Sequence, residues 1–255
     1  MNETQNYTIA EEFTLPSKGK IYDKKINPTV KLRSMTARDE MKRLSPSATP
    51  LKSLAEIIDG CIVSEKLPIS VYDLATSDYE FLLHKLRTVT YGSNYKVYLT
   101  CPECGEDVET TFDLDSLEIK EFDQSEFTEL STFELPVSKH IITLKYQTPH
   151  SMEVIEARAK EMKRKMKGAD RDFEVFALLN YVIDTVDGNK LPPFELENFI
   201  DRLPARDMNK IRNNVEKLSS CFGIDTKFTV TCPKCKEDID TFFRFGSEFF
   251  RPTED

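Results

Sequence analysis

Two stretches of this 255-residue chain are near copies of each other: "YLTCPECGEDVETTFDL", beginning at Tyr98, and "TVTCPKCKEDIDTFFRF", beginning at Thr229. Each holds a Cys-Pro-x-Cys unit, Cys101 with Cys104 and Cys232 with Cys235, and together they take four of the six cysteines. Two thiolates at the tip of a hairpin can face one cation, and the proline fixes one φ angle of the tight turn. A structural zinc site built from cysteine needs four thiolates in a tetrahedron, so one such knuckle supplies half a site. The simplest arrangement is one zinc ion shared by Cys101, Cys104, Cys232 and Cys235, tying Cys101 to Cys235 across a long loop. A redox Cys-x-x-Cys is the rival, but that motif sits at the start of a helix, where the helix N-terminus lowers the thiol pKa. Here the flanks "KVYLT" and "VETTF", then "KFTVT" and "IDTFF", alternate like β-strands. Cys61 and Cys221 lie in apolar helical surroundings and read as small core residues.

A duplicated hairpin calls for comparing the rest of the chain with itself. "FTLP" at Phe13 recurs as "FELP" at Phe133, and "VKLRSMT" at Val30 recurs as "ITLKYQT" at Ile142. Thr36 and Thr148 then suit helix N-caps, the first with Asp39 at the third helical position and the second with Pro149 at the first. Apolar helices follow, carrying Leu51, Leu54, Ile58 and Cys61 in one half and Phe173, Phe176, Ala177 and Asn180 in the other, with Tyr181 and Asp184 continuing the turn. "SEKLPISVYDL" from Ser64 parallels "GNKLPPFELENF" from Gly188. A further helix carries Phe81, Leu82 and Leu86 in the first half and Met208, Ile211, Val215 and Leu218 in the second, closing at Tyr91-Gly92 and Phe222-Gly223. Val30 and Ile142 are 112 positions apart and Cys101 and Cys232 are 131 apart, the drift expected of diverged copies whose loops have changed length.

The expected fold class is therefore α+β, with two pseudo-repeated halves (β-hairpin, helices, CPxC hairpin) joined through a shared zinc-ribbon-like four-cysteine site. Residues 1–117 form the first half, 118–132 an acidic linker, and 133–255 the second half with an aromatic tail. A strong link closing a loop of this length removes about 4–5 kcal/mol of unfolded-state entropy.

With 31% charged and 39% hydrophobic residues the chain has the balance of an ordinary globular protein and should fold. Apolar runs such as "VFALL" from Val175 fall far short of the roughly 20 residues that cross a bilayer. The opening "MNETQNYTIAEEF" has neither the basic start nor the apolar stretch of a secretory signal, so the expected location is a cytoplasm or an assembly built there. A net charge of −9 sets the molecule against phosphate backbones and anionic lipid, which makes nucleic acid and membrane poor partners. The basic stretch "RAKEMKRKMKGADR" from Arg158 reads more naturally as a solvated helix end than as a patch for an acidic partner. The tail brings Phe242, Phe243, Phe245, Phe249 and Phe250 together; strand alternation buries some, and the others are candidates for contact with another chain.

Marks of catalysis are few. The three histidines, His84, His140 and His150, have no metal-ligand spacing, and the eight glycines are isolated, so no loop is built to cradle a phosphate. No G-x-S-x-G elbow occurs, and Glu106-Asp107 and Glu237-Asp238 read as solvated turn residues. A site assembled only in three dimensions would leave no such mark, but scaffolding or partner binding without enzymatic activity is the reading these residues favour.

The stretches "VKLRSMTARDEMKRL" and "YEFLLHKLRTVTYGSNYKVYLTCPECGEDVE", with the CPxC hairpin returning near the end, resemble the baseplate hub assembly proteins of T-even-type contractile-tailed phages. The resemblance covers residues 13–117 and extends more weakly through the second copy; the "LR-x-MT" start, the "LR-x-x-x-YG" helix end and the knuckle carry it. It implies a non-enzymatic protein needed to build the baseplate hub, either a virion component or a chaperone released before completion. It also implies other tail and baseplate hub proteins as partners, and the host cytoplasm as the place of assembly. No catalytic residues carry over. The alternative is a zinc-ribbon protein acting on nucleic acid or in transcription. Against it stand the acidic flanks "ECGED" and "KCKEDID", where nucleic-acid-binding ribbons bring Lys or Arg.

Overall fold

The computed structural model describes residues 9–166 and 172–250. Parts of three sequence readings lie outside the described residues: the chain start at 1–8, the end of the basic stretch at 167–171, and the last of the aromatic tail at 251–255. In chain order come β1 (Ala10–Thr14), β2 (Thr29–Arg33), α1 (Ala37–Leu44), α2 (Pro50–Cys61), α3 (Thr76–Tyr91), β3 (Asn94–Thr100), β4 (Asp107–Asp113), β5 (Ile119–Lys120) and α4 (Gln124–Ser131). Then follow β6 (Thr132–Glu134), β7 (Ile141–Leu144), α5 (Pro149–Lys165), α6 (Phe173–Val182), β8 (Ile183–Val186), α7 (Pro193–Asp201), α8 (Ala205–Ser220), β9 (Gly223–Ile224), β10 (Lys227–Thr231) and β11 (Asp238–Phe242). The fold is mixed α and β, with small antiparallel sheets: the pairs β1–β2, β3–β4, β5–β9 and β10–β11, and the three-stranded β6–β7–β8.

Packing divides the chain into two units that do not follow sequence order. One gathers Met1–Val71, Asp78–Lys120 and Gly223–Asp255; the other gathers Tyr72–Ser77 and Glu121–Phe222. Both knuckle hairpins belong to the first unit.

In the first unit the β1–β2 hairpin pairs Phe13 with Val30, and alternation along β2 buries Val30 and Leu32. Thr36 caps α1 as its spacing predicts: its hydroxyl accepts from the Asp39 N–H, and the Asp39 carboxylate accepts from the Thr36 N–H. Helix α2 buries Leu54, Ile58 and Cys61 on one stripe and runs directly into Ile62, which forms an antiparallel bridge with Leu32. Helix α3 buries Leu82, Leu83 and Leu86, and in its last turns carries Arg87, whose side chain is fully buried. That guanidinium donates to the carbonyls of Gly92 and Asn94 and lies over the rings of Tyr91 and Tyr95 at 5.5 and 5.6 Å. The "LR-x-x-x-YG" pattern is therefore a helix end held by its own arginine, with Gly92 at a φ of 80°.

The second unit builds its core from Leu135, Ile142, Leu144, Leu179, Val182 and Ile211, among others, between the three-stranded sheet and its helices. Thr148 caps α5 with Pro149 in the first turn, as predicted. Two sequence expectations change here. The α6 periodicity does not extend to Asp184, because the helix ends at Val182 and Ile183–Val186 becomes β8, paired with β7. The β-branched residues Ile183, Thr185 and Val186 fit that pleated position, and Asp187 and Gly188 then turn at φ of 52° and 77°. The acidic segment 118–132 is also structured: it holds β5 and α4, Asp123 caps α4 by accepting from the Glu126 N–H, and Phe127 and Leu130 pack on the core.

A buried carboxylate near the start of a long helix appears in both units. Asp78 in α3 accepts from the N–H and hydroxyl of Ser17 at 3.0 and 2.5 Å and from the Tyr22 hydroxyl at 2.6 Å. Asp207 in α8 accepts from the N–H groups of Val137 and Ser138 at 2.8 and 2.9 Å. Each receives the turn that follows a buried "LP" leucine, Leu15 or Leu135.

Candidate metal centre

The cluster is built by two hairpins of the same design. In β3–β4, Thr100 pairs with Asp107, the N–H of Cys101 donates to the Glu106 carbonyl at 2.8 Å, and the N–H of Gly105 donates back to the Cys101 carbonyl at 2.9 Å. In β10–β11, Thr231 pairs with Asp238, Cys232 donates to Glu237 at 2.8 Å, and Lys236 donates back to Cys232 at 3.0 Å. The fifth position of each turn is left-handed, with φ of 68° at Gly105 and 65° at Lys236. Glycine takes that conformation freely, and Lys236 shows that the turn imposes it on a residue with a side chain. The threonine hydroxyls brace the turns from outside, Thr100 and Thr231 donating to Asp107 and Asp238 at 3.0 and 2.8 Å.

The sulfurs of Cys101, Cys104, Cys232 and Cys235 all lie within 4.8 Å of one another. Cys101 faces Cys235 and Cys104 faces Cys232, each at 3.7 Å between sulfurs. A tetrahedron with metal–sulfur arms of about 2.3 Å has edges of about 3.8 Å, whereas a disulfide bond is about 2.0 Å. These separations suit a metal ion between the sulfurs, and all four cysteines are free thiols. The four residues can therefore hold a metal ion, with soft thiolate donors of the kind that select zinc or iron. The backbone N–H groups of Cys235 and Lys234 lower the Cys232 thiol, while burial and the neighbouring cysteines raise Cys104 and Cys235, so four thiolates at this spacing need a cation between them. Val108, Val230 and Ile239 close the inner side of the cluster. Cys101 and Cys232 are buried, Cys104 is half-buried and Cys235 is exposed.

Two supports escape a reading by spacing alone. Lys234 on one knuckle donates to the Glu106 carboxylate on the other at 2.7 Å, so the acidic pair after the first knuckle is partly engaged. Beneath the hairpins an aromatic group joins them: Phe112 meets Phe228 at 4.6 Å, Phe228 stacks on Phe243 at 4.3 Å, and Tyr95 stacks on Phe249 at 5.5 Å. The aromatic tail therefore turns mostly inward, with Phe243, Phe249 and Phe250 buried and Phe242 exposed. The alternation of aromatic and polar residues in both hairpins is the signal that could have located this group.

The remaining candidates sit elsewhere in structural roles. Cys61 is buried in α2, and Cys221 packs against the core of the second unit. His84 is buried and pushed down to about 4 by that burial, so it is neutral, with Nε2 donating to the Leu114 carbonyl at 3.0 Å. His140 and His150 are surface residues paired with Asp187 and Asp73 at 2.7 and 3.0 Å.

Among the described residues no helix is long and apolar enough to cross a membrane. Neither the curated proteins nor the solved structures yield a significant match to this chain. A protein-family model described as T4 bacteriophage base plate protein matches residues 7–251, nearly the whole length and both knuckles, and the chain belongs to that family.

Proposed function

We propose that this phage baseplate protein acts in building the hub of a contractile-tail baseplate, without enzymatic activity, and that one zinc ion held by Cys101, Cys104, Cys232 and Cys235 stabilises its fold. Membership of the family makes it a structural protein of the phage tail, whose partners are other baseplate proteins. The hub assignment rests on the sequence resemblance set out above. The metal assignment rests on one observation: four thiols from two distant hairpins converge to within 4.8 Å, with cross-knuckle separations that match a metal–thiolate tetrahedron. Zinc supplies a redox-inert four-coordinate cross-link, and the protein's own part is to hold the thiols and screen them with Val108, Val230 and Ile239.

The architecture is that of an internal duplication, with halves at 1–117 and 133–255. Beyond the two knuckles, three details support it. Ile62 bridges Leu32 as Ile183 pairs with Leu144, Thr36 and Thr148 both form capping boxes, and Asp78 and Asp207 hold equivalent turns.

The test of function is quantitative mass spectrometry of the chain in purified particles and in the host lysate that produced them. A fixed low copy number in step with hub proteins makes it a resident hub component. Abundance in lysate, absence from particles and co-purification with a hub protein make it an assembly chaperone acting in the host cytoplasm. Particles that carry the chain only outside the hub, or no association with hub proteins at either stage, would sink the hub assignment. Metal analysis of the purified chain tests the other half, with about one zinc per chain expected.

A further inference from the structure

We propose that the cysteine cluster is also an oxidative cross-linking site, in which disulfides form between the knuckles, Cys101 with Cys235 and Cys104 with Cys232, and not within either CPxC. The proposal rests on the zinc reading only for its starting state; the pairing is decided by geometry. Both 3.7 Å separations run across the knuckles. Closing them to a bond of about 2.0 Å needs a movement under 2 Å, within reach of side-chain rotation and a slight approach of two hairpins. A bond inside one CPxC would instead have to distort a turn held by its own backbone hydrogen bonds, Cys101 to Glu106 and Gly105 to Cys101 in the first knuckle.

Burial of the residues differs within each pair. Each cross-knuckle pair joins a more exposed cysteine to a buried one: exposed Cys235 to buried Cys101, and half-buried Cys104 to buried Cys232. Whichever sulfur of a pair a peroxide oxidises, its partner across the knuckles is placed to resolve the product. With oxidation at Cys235, the thiol and hydrogen peroxide first give a sulfenic acid and water. In the second step, the Cys101 thiol attacks the Cys235 sulfur, the S–S bond forms, the S–O bond breaks, and the hydroxyl leaves with the thiol proton as water. Cys104 and Cys232 follow the same two steps with a second equivalent of peroxide. A metal ion held by these sulfurs loses its ligands and leaves.

The consequence is a clasp that survives a change of surroundings. Thiolate sites form in reducing compartments and disulfides persist in oxidising ones. Links across 134 and 128 residues are preserved by either chemistry, so a chain carried from a reducing into an oxidising medium exchanges a metal link for covalent ones at the same positions.

The experiment uses the full-length chain as purified. Its zinc content is measured first; hydrogen peroxide is then added, released zinc is followed with a chromogenic chelator, and free thiols are alkylated. Digestion without reduction by trypsin and a glutamate-specific protease resolves the pairing, since cleavage after Lys234 separates Cys232 from Cys235 and cleavage after Glu103 separates Cys101 from Cys104. The expected products are the Cys101–Cys235 and Cys104–Cys232 peptides, accumulating as zinc is released. Links within either CPxC, any other pairing, or sulfinic acids without links overturn the proposal. A chain purified without zinc overturns the metal reading alone, because the pairing in the oxidised protein is still read.

Discussion

A carboxylate in the first turn of a helix can hold a neighbouring turn by accepting its N–H groups, and Asp78 and Asp207 do this in the two units under opposite electrostatics. Burial raises the Asp78 carboxyl above its ordinary range despite the Ser17 and Tyr22 donors. At Asp207 desolvation also pushes upward, but the Ser138 and Val137 N–H groups outweigh it and the carboxyl ends below the ordinary range. The linkage signs therefore differ. The raised Asp78 contributes stability that is fully present below the unfolded value of about 4 and lost as pH rises through its folded value. The lowered Asp207 contributes stability present above about 4 and lost as pH falls through its folded value. Urea unfolding of Asp78→Asn and Asp207→Asn across this range should show the deficit against wild type widening on acidification for the first and narrowing for the second. A shift of the same sign in both would refute the assignment. Asp78→Ala, which removes the carboxylate that accepts from the Ser17 N–H and from the Ser17 and Tyr22 hydroxyls, should cost about 1–3 kcal/mol.

At the scale of elements, the α3–β3 junction depends on one side chain. Arg87→Lys keeps the charge but loses the planar fork that serves two carbonyls and the face that stacks on Tyr91 and Tyr95, so a loss of about 1–3 kcal/mol is expected in chemical unfolding, with zinc content unchanged. The knuckles behave as a pair. Cys232→Ser should abolish zinc binding and speed amide exchange in β3–β4 as well as in β10–β11, by loss of a link of about 4–5 kcal/mol; exchange confined to β10–β11 would mean that the first knuckle does not share the site. The caps and strands that were legible in sequence carried local signals: Thr36 with Asp39, Thr148 with Pro149, and the alternation around each CPxC. Helix α4 and strand β8 also had signals, Asp123 with Glu126 in one and a β-branched run before Asp187-Gly188 in the other. They were outweighed by acidic composition in the first case and by helical periodicity carried too far in the second.

At the scale of the whole molecule, metal removal should act unevenly. The cysteine cluster lies in the unit that holds residues 223–250, while the core around Ile142, Leu179 and Ile211 lies in the other. Chelation is expected to raise hydrogen exchange in β3, β4, β10 and β11 and to leave the α6 and α8 amides protected; equal loss in both units would show that the metal sustains the entire fold. The segment from residue 223 is held in the first unit by more than the thiols. Ile119 pairs with Ile224, and Lys120 meets Asp225 at 2.9 Å.

By itself, the sequence determined the two CPxC turns, the strands that flank them, the capped helix starts and the apolar stripes, because these follow from backbone preferences and periodicities that act over a few residues. Only the tertiary structure decided that all four sulfurs meet at one point, which cysteines face each other across the knuckles, and that the aromatic tail turns mostly inward. It likewise decided that Asp78 and Asp207 are latches and not surface charges. The sulfur and latch contacts join positions 56 to 134 residues apart, and no local propensity encodes a meeting that is won by burial and closure of the intervening chain.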